Sequence, residues 1–377
     1  MNVVITKPEE ILPNLLVLCR LLSVIPDPGR RQAQRHPLLS ILVMGLCAMA
    51  AGATGWEDMA DTSELLFHWF SAIIPCGEVP PSADTFRRVF QALRPGSMEG
   101  MLTGWLSEFA LNHRPGRQIS FDGKALRGSD GVYTVNAYVP GESITLAHQV
   151  VDDKTNELGA LPALLAAIEI ENTVCTGDAL YAQREVIQRL QARRADYLIA
   201  VKANQGRLLK AIETQFGGHF PSTVTSKSTE KDRGWLEERQ LSVSSEIDRI
   251  DPKKAWTGLQ SVIKLETRRT RGNEFQSETR YFISSLSCDL PRMGELIRSH
   301  WEIENCLHRV LDVHFKEDAC QVRNRVAAAN LSLLRKLSGS ILRRLDPDRT
   351  LKSKMKALLG SNAFRLRFLQ CDWADQS

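Results

Sequence analysis

A run of strand-like segments beginning at Ile119 constrains this chain most. ISFDG, VYTVNAYV and SITLAHQVV are short and apolar, with glycine-bearing turns between them, as β-strands require. LGALPALLAAIEI then reads as a helix, NTVCTGDAL as a short strand, REVIQRLQARR as a charged helix and DYLIAVKAN as another strand. Three strands followed by helix, strand, helix, strand predict an α/β layer on a mixed sheet.

The stretch from about 208 to 290 has another rhythm. GWLEERQLSVSS and SVIKLETRRTRGNEFQSETRYFISSL alternate with period two, and RGNE supplies a hairpin turn. This predicts a β-rich insertion, basic at Arg268, Arg269 and Arg271. Helical spacing resumes with MGELIRSHWEIENCLHRVL and AAANLSLLRKLSGSILRRL. The first 110 or so residues read as helical: Leu12 to Leu22, an apolar helix from Pro37, Trp56 to Phe70, and DTFRRVFQAL capped by Ser82 or Asp84. Arg87 and Arg88 on that last helix are either DNA contacts or an exposed face.

With 377 residues the chain has room for more than one core, and 43% hydrophobic with 24% charged residues is ordinary for a globular protein. A net charge of +4 does not by itself call for nucleic acid, but its distribution says more. Twelve basic residues from Arg323 to Arg367 are opposed only by Asp346 and Asp348, which suits either a phosphate backbone or a solvated helix surface. The eight cysteines show no CxxC and are expected as free thiols in a reducing cytoplasm. No signal peptide is visible at the start. The uncharged run Leu38 to Ala53 falls short of the roughly 20 residues a spanning helix needs, so a buried helix and no membrane are expected.

Three dispersed acids carry the chemistry. Asp122 in ISFDGKALRGS and Asp178 in TVCTGDALY each end an apolar strand beside a glycine, which would let a ligand approach closely. Taken singly, each is as well explained as a turn or cap acid. The segment RSHWEIENCLHRVLD, expected as one amphipathic helix from Arg298 to Asp312, adds Glu304 on a face shared with His300 and His308. Three carboxylates from separate elements can hold Mg²⁺ or Mn²⁺, and two such ions about 4 Å apart activate an attacking hydroxyl and stabilise a leaving oxygen. A zinc face of His300, Glu304 and His308 is the alternative. No phosphate loop, GxSxG or HExxH is present.

The chain resembles the DDE transposases of the ISAs-one insertion-sequence family, which includes the H-repeat-associated proteins of Rhs elements. The likeness runs through RRQAQRHPLLSILVMGLCAMAAGATGW, PSADTFRRVFQAL, SFDGKALRGS, GDALYAQREVI, YLIAVKANQG and HWEIENCLHRVLDVHFKED. It implies an RNase H-like catalytic core with an inserted β-domain. The divisions are 1–115 (helical associated domain), 116–207 and 291–345 (core), 208–290 (insertion) and 346–377 (basic tail). It implies Asp122, Asp178 and Glu304 as catalytic and metal-binding acids, with Glu304 preferred to Glu302 through the W-x-I-E motif from Trp301. Of the related Y-R-E-K signature only the glutamate is kept, since Ile297, His300 and Leu311 stand at the other positions.

The implied activity is metal-dependent cleavage at terminal inverted repeats followed by strand transfer into target DNA, with two Mg²⁺ or Mn²⁺ ions and a homodimer on double-stranded DNA. A nuclease that no longer integrates and a non-catalytic DNA-binding descendant are the alternatives. Arg87, Arg88, Lys202, Arg268, Arg269, Arg271, His300 and His308 are the expected DNA contacts. Trp235 or Trp256 is either a base-stacking platform or core.

Overall fold

The computed structural model describes residues 16–29, 35–109, 114–129, 131–151, 157–218, 223–232 and 234–372. The N-terminal part is helical: α1 (Val17–Ser23), α2 (Leu38–Ala51), α3 (Trp56–Leu65), α4 (Phe67–Ser71), α5 (Ala83–Ala92) and α6 (Pro95–Glu108). The start of the helix expected from Leu12 lies outside the described residues. In α2, 12 of 14 residues are buried, so it is apolar all round because it is surrounded by protein. Among the described residues no single helix is long and apolar enough to cross a membrane. Gly52 ends α2 at φ +109°, where its N–H reaches the Ala48 and Met49 carbonyls; a side chain would be strained there. Ser82 caps α5 through the Thr85 N–H, while Asp84 pairs with Arg87 and Arg88.

One nine-stranded sheet organises the rest. Its strands are β1 (Gln118–Leu126), β2 (Val132–Val139), β3 (Ile144–Val151), β4 (Val174–Gly177), β5 (Asp196–Val201), β6 (Thr223–Asp232), β7 (Trp235–Ser244), β8 (Ser261–Arg271) and β9 (Glu274–Ser284). The spatial order is β3-β2-β1-β4-β5-β9-β8-β7-β6. The first three strands form antiparallel hairpins, and β4 and β5 run parallel to β1. Parallel neighbours need crossovers. α7 (Glu157–Ala166) lies between β3 and β4, and α8 (Arg184–Ala192) between β4 and β5. This is the expected mixed α/β arrangement.

The β-rich segment continues the same sheet. After α9 (Gly206–Gly217), β6 to β9 form an antiparallel meander whose last strand pairs with β5. That pairing covers an otherwise open edge. The RGNE turn forms as expected, with Arg271 opposite Glu274 and Gly272 at φ +57°. β6, TVTSKSTEKD, has no apolar alternation to announce it, because it is an outer strand with exposed side chains.

The chain then crosses α10 (Leu290–His300) and α11 (Arg309–Val313), discussed below, to α12 (Arg325–Arg344), α13 (Leu351–Gly360) and α14 (Asn362–Gln370). α12 packs against α2, α5 and α6 on one side and β2 and β3 on the other, so 16 of its 20 residues are buried. This takes four of the twelve basic residues of the C-terminal third out of the surface. Arg335, Lys336, Lys354 and Arg365 are all at most 4% exposed. Lys354 donates to the Leu342 carbonyl at 2.9 Å and Arg365 to those of Leu358 and Leu359, so they satisfy helix carbonyls. None of the eight cysteines forms a disulfide.

Candidate active site

Adjacent parallel strands bring the first two acids together. Phe121 of β1 is in register with Gly177 of β4, so Asp122 and Asp178 are the next residues on strands about 4.8 Å apart. In open α/β sheets, ligands bind beyond the carboxyl ends of parallel strands. Asp122 is still within β1, opposite Asn136 of β2. β4 stops at Gly177, and Asp178 opens a 3₁₀ turn over Ala179–Tyr181 by accepting the Leu180 N–H at 2.8 Å.

The third acid arrives on a helix that is not α throughout. α10 ends at His300, a π-helical stretch spans Ile303–His308, and α11 follows. The Arg309 N–H bonds the Glu304 carbonyl five residues back. Such widened turns are rare and are frequent at functional sites. The single α-helix expected over 298–312 is therefore corrected to an α-helix, a π-helical stretch and a second α-helix, and His300 sits apart from the other two. His300 Nδ1 meets Thr176 Oγ1 at 2.9 Å. His308 Nδ1 lies 3.3 Å from Glu304 Oε2 and 3.6 Å from Asp122 Oδ2. The zinc face containing both histidines does not form. What converges is Asp122, Glu304 and His308, with one ligand atom from each lying within 4.8 Å of the others. Glu302 instead accepts the Gly141 N–H at 2.7 Å.

The charges reflect this crowding. Burial, then the nearby carboxylates of Glu304 and Glu157, hold Asp122 well above the usual carboxylate range, with a smaller push from Asp178. The hydrogen bond from His308 holds Glu304 below that range. The two acids titrate as a pair, with Asp122 as the member that keeps a proton. Burial lowers His300 to about 4 despite the attraction of Asp178 and Glu304. A divalent cation fits this donor set. Asp122, Glu304 and His308 would hold it, and its charge would take the place of the proton that Asp122 keeps. The His308 Nε2 atom is buried without a partner, leaving the ring held by its Nδ1 side toward the carboxylates.

Behind the acids lies a bracket that sequence reasoning missed. Glu157, 2% exposed, accepts the Tyr133 hydroxyl at 3.1 Å and the Tyr181 hydroxyl at 2.6 Å. A Cβ on Gly123 would lie 2.3 Å from Tyr133, and one on Gly177 would lie 2.9 Å from Tyr181. The glycines beside Asp122 and Asp178, first read as room for a ligand, are thus room for two tyrosines. Lys124 also escaped notice, though β-alternation puts it on the same face as Asp122. Its Nζ lies 2.7 Å from Asp312 and 3.1 Å from Asp318, tying β1 to the segment after Glu304. No sequence signal marked Glu157, which opens an apolar helix far from either acid.

The expected DNA contacts are scattered. Arg87 and Arg88 share Asp84. Arg269 bonds Glu237 at 2.6 Å. Arg271 lies 5.2 Å from the Trp235 ring and 3.7 Å from Glu274. Arg268 is exposed on β8. Lys202, exposed just past β5, is at the same strand ends as the acids. Trp256 is core, 6% exposed.

The sequence is similar to known proteins. The "Transposase DDE domain" family profile matches residues 111–338, and a "DDE_Tnp_1-associated" profile matches residues 19–106. "Putative transposase YncI" of Escherichia coli O157:H7 is 30% identical, over 85% of this chain and 86% of its own length. "H repeat-associated putative transposase YhhI" of Escherichia coli K12 is 29% identical, over 92% of this chain and 95% of its own. Among solved structures, a piggyBac transposase synaptic complex with hairpin DNA is similar at TM-score 0.41 and 12% identity, over 98% of this chain and 83% of that one; so remote a likeness carries no argument here. With the family profile covering residues 111–338, the chain belongs to the DDE transposases.

Proposed function

We propose that this protein is the DNA transposase of an insertion sequence, cutting at terminal inverted repeats and joining the freed 3′ ends to target DNA. The observation that carries this reading is the convergence of Asp122, Glu304 and His308 at the carboxyl ends of the parallel strands. In the proposal, Asp122, Asp178 and Glu304 hold two Mg²⁺ or Mn²⁺ ions. When bound, such ions lower the proton affinity of an attacking hydroxyl and neutralise charge at the leaving oxygen. Asp178 is the third carboxylate because it follows Gly177, the register partner of Phe121, and its charge is felt by Asp122.

The protein's own groups supply position. His308 orients the Glu304 carboxylate, Lys124 ties the Asp122 strand to the Glu304 segment, and the Tyr–Glu–Tyr bracket fixes both aspartates. Double-stranded DNA is the substrate, held by a homodimer, with residues 1–115 as the associated DNA-binding unit and 208–290 as the insertion in the catalytic core.

Cleavage of cognate ends in Mg²⁺ tests this. Asp122→Asn, Asp178→Asn and Glu304→Gln should each lower cutting by at least about 10²-fold, the scale of losing one preorganised electrostatic group, while end binding persists. Cutting at the wild-type rate in all three would sink the assignment. Joined products, rather than nicks alone, separate a transposase from a nuclease.

A further inference from the structure

Two concavities border the Glu304 segment, and their charges are arranged differently. The larger, ≈ 710 Å³, is lined by Arg239, Arg269, Arg280 and Arg298 together with Trp301. Each of those arginines already has a carboxylate. Arg239 and Arg269 share Glu237 at 2.5 and 2.6 Å, Arg280 bonds Glu278 at 2.5 Å, and Arg298 lies 3.6 Å from Glu230.

The smaller, ≈ 530 Å³, lies toward the far end of the segment, at Val310 and His314, against the β2–β3 turn and the α12–α13 connection. Arg114, Arg343, Arg344, Arg349 and Lys354 line it, with Glu142 as the one carboxylate among its described lining residues. Glu142 lies 3.7 Å from Arg114 and 3.5 Å from Arg344, and it also binds Arg117 at 2.9 Å. Arg343 donates only to neutral oxygens, Ser143 Oγ at 3.5 Å and the Cys306 carbonyl at 2.9 Å. Lys354 donates to the carbonyls of Leu342 and Arg343. Burial holds Arg344 below the usual guanidinium range, with Arg114 and Arg117 repelling it while Glu142 offsets part of the effect. Arg349 lies 3.4 Å from Asp346, which it shares with Arg367, so five cations are opposed by two carboxylates, and that excess favours a bound anion.

We propose that this smaller concavity binds a backbone phosphate of duplex DNA. A forked guanidinium such as Arg114 or Arg349 suits a phosphodiester, and its two free oxygens can be met from both sides of the pocket. The site is also linked to the catalytic segment. Gly141 on its rim holds Glu302, two residues before Glu304. Val310 is six residues beyond Glu304, about 9 Å along a helix. A phosphate seated here would brace the Glu304 segment while the same duplex crosses the acids. The identity of the polyanion rests on the transposase reading; the pocket and its charge do not.

The test is duplex binding by the full chain, measured across salt concentrations by fluorescence anisotropy. Arg114 and Arg349 have side chains 56% and 42% exposed, so Arg114→Gln with Arg349→Gln should leave the fold intact. The double variant should bind a duplex of arbitrary sequence roughly 10-fold more weakly at about 0.1 M salt. Its log K against log salt slope should be shallower by about 1.8, two contacts at about 0.9 each. Arg114→Lys with Arg349→Lys should recover most of that slope, whereas Lys210→Gln with Lys253→Gln, which removes the same charge from other exposed positions, should not change it by as much. An unchanged slope in the Gln pair overturns the proposal. So does pyrophosphate binding the wild type as tightly as duplex, which would make this a small-anion site. Mn²⁺ titration of the Gln pair keeps the two readings apart: Mn²⁺ bound as in wild type with DNA binding unchanged would fail the pocket and spare the acid cluster. Weakened DNA binding beside an Asp122→Asn variant that still cuts would do the reverse.

Discussion

The two halves of the nine-stranded sheet use charge in opposite ways. In β6 to β9, acids and arginines meet across neighbouring strands, and Glu237 alone serves Arg239 and Arg269. In the β1–β4–β5 half, carboxylates crowd one another: Asp122 is surrounded by Glu304, Glu157 and Asp178, and the buried acid Glu157 has tyrosine hydroxyls on it. Charge that is neutralised within a sheet supports its structure. Charge left concentrated and largely enclosed costs stability and persists where a ligand offsets it. The difference marks the core half as the chemical one, although the extension is richer in exposed charge.

The largest effect should come from Glu157. Glu157→Ala leaves two buried tyrosine hydroxyls without their acceptor, at roughly 1–3 kcal/mol each, and should lower urea stability accordingly. Glu157→Gln keeps an acceptor and should cost less. If the two variants are equally stable, the bracket is not what holds the aspartates. Gly123→Ala comes next: its Cβ would lie 2.3 Å from Tyr133, and overpacking of this kind costs about 1–3 kcal/mol. Recovery of that loss by Tyr133→Phe would show that the hydroxyl, also 2.3 Å from the added carbon, is the obstacle.

Titration of the acids gives the third prediction. A carboxyl whose folded-state proton affinity is raised favours the folded state most below the unfolded value of about 3.9, and that contribution is lost as pH rises through the folded value. Metal-free wild type should therefore lose stability relative to Asp122→Asn as pH rises above about 4, and Mn²⁺ should restore it. Mn²⁺ binding should release protons and tighten with pH, which calorimetry in two buffers of different ionisation enthalpy would reveal; binding independent of pH would contradict the raised Asp122. The smallest effect belongs to the extension. Arg269→Ala, breaking a pair whose arginine is half exposed, should cost about 1 kcal/mol or less and leave cleavage unchanged.

Much of the fold was legible because period-two and helical spacing survive wherever one face is buried. ISFDG, VYTVNAYV and DYLIAVKAN announced β1, β2 and β5, and RGNE announced the β8–β9 turn. β6 was silent because both its faces are largely exposed and nothing apolar had to alternate. The burial of part of the basic C-terminal third was illegible for a related reason. Composition counts arginines and lysines, but only packing shows that Lys354 and Arg365 are spent on helix carbonyls.

The sequence by itself predicted most of the strands and helices and proposed the three acids Asp122, Asp178 and Glu304, since local spacing and short motifs are encoded along the chain. Only the tertiary structure decided which groups meet. It widened one helical turn, and it set His308, not His300, beside Asp122 and Glu304. It brought Glu157 behind both aspartates, and it left one pocket with more cations than acids. Those pairings join residues tens to hundreds of positions apart, and no local pattern of spacing carries information about them.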